Sequence, residues 1–214
     1  MNKAVIFDLD GTLIDSLPDI LEHVNITLEK FNAPLRTHQE IRQFIGNGAR
    51  NLIKQSFGDV TEDELDERLA FYNEIYTNSG SPKTKLFDGI KELLLTLKER
   101  GYKLAILTNK PQKTTDEVYQ KYLSFANFDI VVGQSSSVKC KPDKTATLNI
   151  LEQLNVKKED AFFIGDGETD VLTSINAGIK NVSVLWGYRD KNQLISVGAT
   201  TFVQHPKEIL NLIF

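Results

Sequence analysis

The chain has 214 residues, 41% of them hydrophobic, with a formal net charge of -4 and a single cysteine, Cys140. That length suits one large α/β domain or a core carrying an insertion, the acidic balance lacks the basic footprint of a nucleic-acid binder, and one thiol excludes an internal disulfide framework. No apolar stretch approaches the roughly 20 residues that span a bilayer, and the first residues run straight into a strand with no charged, apolar leader, so a cytoplasmic setting without nucleic-acid or membrane partners is expected.

The first run, AVIF, ends at Asp8, followed by Asp10, Gly11 and Thr12. A continuous apolar run reads as a parallel strand covered on both faces, and in such sheets ligands bind beyond the carboxyl ends of the strands. Two carboxylates so close repel unless one is protonated, a cation neutralises them, or both stay solvated. An Asp-Gly turn is the plainer reading. From Ser16 to about Pro82 no strand pattern occurs, and helices are expected at Leu17 to Phe31, Thr37 to Ile45, Ala49 to Phe57 and Glu62 to Asn78. Beyond it the runs KLAILT, FDIVV, AFFIG and NVSVL, with a weaker TTFV, alternate with helical patterns at Ile90 to Arg100, Thr114 to Tyr122, Lys144 to Leu154 and Glu168 to Ala177. The alternation predicts a doubly wound parallel sheet, a Rossmann-like α/β core, with an inserted α-helical domain. The expected division is residues 1–15 and 83–214 for the core and 16–82 for the insertion.

The strand ends converge on one edge, so the polar residues after each run form one candidate site: Asp8 and Asp10, Thr108 and Asn109, Lys141, then Asp166, Glu168 and Asp170. Carboxylates, a lysine and small donors suit phosphate chemistry, and hard oxygen ligands without neighbouring histidine or thiolate favour Mg²⁺ over zinc. Glu168 also fits a helix N-terminus, where an acid complements the dipole. His23, His38 and His205 lie away from the strand ends and read as surface or packing residues; Cys140 reads as incidental. The stretch Trp186-Gly187-Tyr188-Arg189 reads as packing near the rim.

The segments DLDGTLIDS, LTNK, KCKPD and IGDGETD resemble, in order and spacing, the four motifs of the haloacid dehalogenase-like hydrolases. The helical insertion after the first motif is similar to the cap of their phosphoglycolate phosphatase-like branch. The resemblance implies an Mg²⁺-dependent phosphatase acting on a small phosphorylated metabolite, with 2-phosphoglycolate the leading candidate, as a monomer or homodimer. It implies that Asp8 is the nucleophile, forming an aspartyl-phosphate, and that Asp10 is the general acid and base. Thr108, Asn109 and Lys141 would hold the phosphate, with Lys139 a second candidate lysine. Asp8, the main-chain carbonyl of Asp10, and Asp166 would hold the metal, with Asp170 orienting these ligands or Lys141. Asn47 and Arg50 of the insertion are candidate specificity residues, Arg50 for a substrate carboxylate, although a solvated helix position suits Arg50 equally. A pyrophosphatase or a sugar-phosphate phosphomutase of the same fold, or a binding or regulatory module without turnover, are the alternatives.

Overall fold

The computed structural model describes residues 3–213. Its strands are β1 (Ala4–Phe7), β2 (Ile14–Asp15), β3 (Lys85–Leu86), β4 (Lys103–Pro111), β5 (Ile130–Gln134), β6 (Ala161–Gly165), β7 (Lys180–Val184) and β8 (Phe202–Val203). Six of them form one sheet in the order β5-β4-β1-β6-β7-β8, with every neighbouring pair parallel. Alternate residues of β1 explain its unbroken apolar run. Val5 and Phe7 enter one core with Leu93, Leu94 and Leu97 of α5 (Ile90–Glu99), while Ala4 and Ile6 enter the other with Ile150, Leu151 and Leu154. The latter three belong to α7 (Thr145–Leu154). A strand buried on both faces has no polar side to display.

Between β2 and β3 lie α1 (Leu17–Lys30), α2 (His38–Phe44), α3 (Ala49–Phe57) and α4 (Glu62–Asn78). They share an apolar cluster of their own, built on Ile20, Val24 and Leu28 of α1, Ile41, Ile53 and Leu65. The four-residue spacing in α1 lays those side chains along one face. Thr37 and Thr61 start α2 and α4 with reciprocal capping boxes to Glu40 and Glu64, so the expected helix starts coincide with side-chain caps. The expected helix from Thr114 to Tyr122 begins earlier, as α6 (Gln112–Val118), and continues as single turns to Ala126.

The sequence pattern did not anticipate β2 and β3, which pair antiparallel as Ile14 with Leu86 and Asp15 with Lys85. Two residues are too few to show a period of two. The buried Asp19 carboxylate reinforces this junction, accepting from the Lys83 backbone N–H at 3.1 Å and the Thr84 hydroxyl at 2.6 Å. The remaining helices are α8 (Glu168–Ala177), α9 (Lys191–Ser196) and α10 (Pro206–Ile213). Among the described residues, no helix is long and apolar enough to cross a membrane.

Candidate active site

Strand order reverses at β1, which has β4 on one side and β6 on the other. The crevice beyond such a switch point is where open α/β sheets bind ligands. Asp8 follows β1, Thr108, Asn109 and Lys110 lie in the last part of β4, and Asp166 follows β6. The pairing of β4 with β5 shifts register between Leu107 and Pro111, so Thr108 to Lys110 belong to an irregular strand end rather than to the loop expected beyond it.

Lys141 is the hub of this edge. Its ammonium stands 2.6 Å from Asp170 Oδ1 and 2.8 Å from Asp8 Oδ1, and the residue is 4% exposed. Burial works against its charge, but the Asp170 and Asp8 carboxylates outweigh that and hold its pKa above the ordinary lysine value. Asp166 accepts from the Thr12 hydroxyl at 2.9 Å and from the Tyr188 backbone N–H at 2.8 Å. Asp170 Oδ2 accepts from the Gly167 backbone N–H at 2.9 Å, which caps α8. Three glycines, Gly11, Gly165 and Gly187, the last against Asp166, make room for these acids. A Cβ on Gly11, whose φ is +86°, would lie 2.3 Å from Asp166 Oδ2, and one on Gly165 would lie 2.3 Å from Asp170 Oδ2.

Asp8, Asp166 and Asp170 each offer a carboxylate oxygen, and these atoms lie within 4.8 Å of one another. Three buried acids against one lysine leave surplus negative charge. Burial, then the Asp170 and Asp166 charges, push Asp8 up to about 8 in spite of Lys141. Burial and Asp170 push Asp166 up to about 6 in spite of its two hydrogen-bond donors. All donors in the group are hard oxygens, which fits a divalent cation. The Asp10 side chain stands apart from the group. It accepts from the Ser16 hydroxyl at 2.5 Å and from the Lys110 ammonium at 3.0 Å.

Thr108 is buried with its hydroxyl oxygen accepting from the Lys110 backbone N–H at 3.2 Å, so its own proton remains available to a ligand. Asn109 is differently placed from the expectation. Its Oδ1 accepts from the Lys141 backbone N–H at 2.7 Å, and its Nδ2 donates to Gly46 O at 2.9 Å and Lys141 O at 3.1 Å. The side-chain amide thereby clamps the Lys141 loop and the helical insertion to β4. Asn47 is exposed and borders a second opening near Asp166. Arg50 turns away from the cavity to pair with Glu62 and Asp66, its side chain 44% exposed. Lys139 is exposed and pairs with Asp143. The His23 ring is buried within the helical layer, Nδ1 meeting Asp19 O at 2.7 Å.

Three residues emerge that the motifs did not single out as site residues. Lys110 bridges Asp10 and the Tyr76 hydroxyl of α4, 2.8 Å away. The Tyr188 hydroxyl accepts from the Ser16 and Leu17 backbone N–H groups at 2.9 and 3.0 Å, where the chain enters the insertion. Arg189 donates to Arg42 O, Gln43 O and Ile45 O at 2.7, 3.1 and 2.5 Å, satisfying the carboxyl end of α2, and to Glu168 at 2.7 Å. The Trp186 to Arg189 loop therefore joins the helical layer to the sheet instead of only packing at the rim. The one sequence signal for Lys110 is its place directly after Thr108 and Asn109.

The family model for haloacid dehalogenase-like hydrolases matches residues 5–184. A Pseudomonas aeruginosa protein named phosphoglycolate phosphatase 1 is 30% identical, aligned over 97% of this chain and 78% of its own length. A phosphoglycolate phosphatase from Psychrobacter arcticus is 33% identical over 87% of this chain and 84% of its own. Among solved structures, one from Lactobacillus delbrueckii subsp. bulgaricus superposes with a TM-score of 0.93 at 26% identity, covering 100% of this chain and 99% of that one. A hydrolase from Pseudomonas syringae gives 0.81 at 25% identity, with 100% and 98% covered. With the motif residues gathered at the switch point of a parallel sheet and the family model spanning most of the chain, this protein belongs to the haloacid dehalogenase-like hydrolases.

Proposed function

We propose that the protein is an Mg²⁺-dependent phosphatase that hydrolyses a small phosphate monoester, with 2-phosphoglycolate, the substrate in its relatives' names, as the leading candidate. The observation that carries this reading is Asp8 at the switch point, with Lys141 2.8 Å from its carboxylate and Asp166 and Asp170 completing an oxygen cluster. Residues 16–82 act as a cap over residues 1–15 and 83–214, and Asn109 and Arg189 hold the two parts together.

Asp8 attacks phosphorus to give an aspartyl-phosphate, and Asp10 protonates the departing oxygen and then takes a proton from the attacking water. Lys110 and Ser16 hold the Asp10 carboxylate for that task. Lys141 supplies positive charge to the phosphoryl group, and the Thr108 hydroxyl donates to one of its oxygens. Asp170 keeps the Lys141 ammonium in place. Asp8, the main-chain carbonyl of Asp10 and Asp166 would hold magnesium, which would supply positive charge against the repulsion between the nucleophile and a phosphate dianion.

The functional test is phosphate release from a panel of phosphoglycolate, sugar phosphates, nucleotides and pyrophosphate, with magnesium or with EDTA. Magnesium-dependent release from monoesters is expected, and release only from pyrophosphate would contradict the reading. In the same panel Arg50→Ala should change kcat/KM by less than about 3-fold, because its charge is already spent on surface partners. A loss beyond about 30-fold would place Arg50 on the substrate.

A second expectation concerns stability. Asp8 and Asp166 have folded pKa values of about 8 and about 6, above the ordinary 3.8, so between these values the folded chain holds protons that the unfolded chain has released. Stability in EDTA therefore falls as pH rises from about 4 toward 8. Added magnesium should raise Tm more at pH 8 than at pH 5.5, as followed by thermal melts; an equal rise at both would contradict the assignment of these acids to the metal.

A further inference from the structure

The cavity between the helical layer and β4 has an apolar wall of Ile20, Ile45, Ala49, Leu52 and Tyr72 facing Asp8 and Asp10. Among the described residues lining it, Lys110 is the one cationic side chain. The other cations near the site are committed. Lys141 sits between Asp8 and Asp170, Arg189 uses four of its N–H groups on three carbonyls and Glu168, and Arg50 is on the surface. Lys110 is 6% exposed, and its ammonium is fixed by Asp10 and by the Tyr76 hydroxyl. An ammonium has three N–H donors; the two Asp10 oxygens, 3.0 and 3.3 Å away, share one forked N–H and the Tyr76 hydroxyl at 2.8 Å takes a second, which leaves the third for an anion in the cavity.

Resting on the phosphatase reading, we infer that Lys110 is the receptor for a carboxylate on the leaving group and so the residue that selects an anionic over a neutral monoester. The phosphate end lies at Asp8, and the leaving oxygen must face Asp10, which lies 3.0 Å from the Lys110 ammonium. A short leaving group extending from that oxygen meets Lys110 before it meets any other cation. The apolar wall around it offers a carboxylate no alternative partner and strengthens the attraction by excluding water. Tyr76 belongs to α4, so the receptor is complete when the helical layer is seated against β4.

The test compares 2-phosphoglycolate with ethyl phosphate, in which a methyl group replaces the carboxylate, for the wild-type protein, Lys110→Met and Lys110→Gln. Wild type should favour phosphoglycolate in kcat/KM; both variants should lower kcat for the two esters alike, because Lys110 also holds Asp10, and beyond that common loss should reduce the preference for phosphoglycolate by about 30- to 100-fold through its KM. Two variants of different polarity guard against one that fails to fold. An equal fall for both esters would overturn the inference and leave Lys110 as a positioning residue for Asp10. Turnover of other monoesters without preference for phosphoglycolate in the wild type would overturn it too, with the phosphatase reading intact. Hydrolysis of no monoester at all would overturn that reading and the inference with it.

Discussion

Asp8→Asn is expected to abolish phosphate release, with kcat/KM falling by about 10⁴-fold or more, because an amide is no nucleophile toward phosphorus and binding alone cannot replace the covalent step. The substitution should not unfold the protein. Asp8 shares the Lys141 ammonium with Asp170, and burial, then the Asp170 and Asp166 charges, already push its pKa up to about 8. Removing its charge relieves repulsion, so Tm in EDTA at pH 8 should stay level or rise while activity is lost. This is the trade expected where a site is built for chemistry at some cost to stability. Retained turnover in Asp8→Asn would remove Asp8 from the nucleophile's role.

Lys141→Met is expected to act in the opposite sense, destabilising the fold by about 3–5 kcal/mol, because it leaves uncompensated charge among buried carboxylates. The methionine stem preserves most of the packing, so the loss reports the ammonium. For a chain of this size such a loss corresponds to a fall in Tm of roughly 10 °C. Asp8 and Asp170 would then lose the lysine they share, with a carboxylate oxygen of each and one of Asp166 lying within 4.8 Å of one another. The deficit should shrink at lower pH as the raised acids take up protons, and shrink again with magnesium. A Tm within a degree or two of wild type would mean that the cluster is better solvated than its burial indicates.

The core was legible because its signals are local. AVIF, KLAIL and AFFIG are apolar runs bounded by polar residues, and a parallel sheet covered on both faces produces that pattern. The caps of α2 and α4 could be located from Thr37 with Glu40 and Thr61 with Glu64, a spacing that has a hydrogen-bonding reason. Asp8, Lys141, Asp166 and Asp170 come together because parallel strands deliver their carboxyl ends to one edge. What stayed hidden depends on partners remote in sequence. Asn109 is a clamp because Gly46 and the Lys141 backbone face it, and Arg189 is buried because the end of α2 presents three carbonyls to it. Arg50 has Glu62 and Asp66 beside it through the packing of α3 on α4, which nothing in the short motif around Gly48 reveals. The β2 and β3 pairing is too short to have a period, and Lys110 carries its meaning only through Asp10 and Tyr76.

The most direct measurement is peptide mass spectrometry on enzyme quenched in acid during steady turnover of a good monoester. The expected result is the mass of one phosphoryl group on the peptide that carries Asp8, absent from the Asp8→Asn protein. A phosphoryl group on a different residue would contradict the assignment of the nucleophile. Rapid product formation with no adduct on any peptide, under conditions that preserve an acyl phosphate, would contradict the covalent route itself.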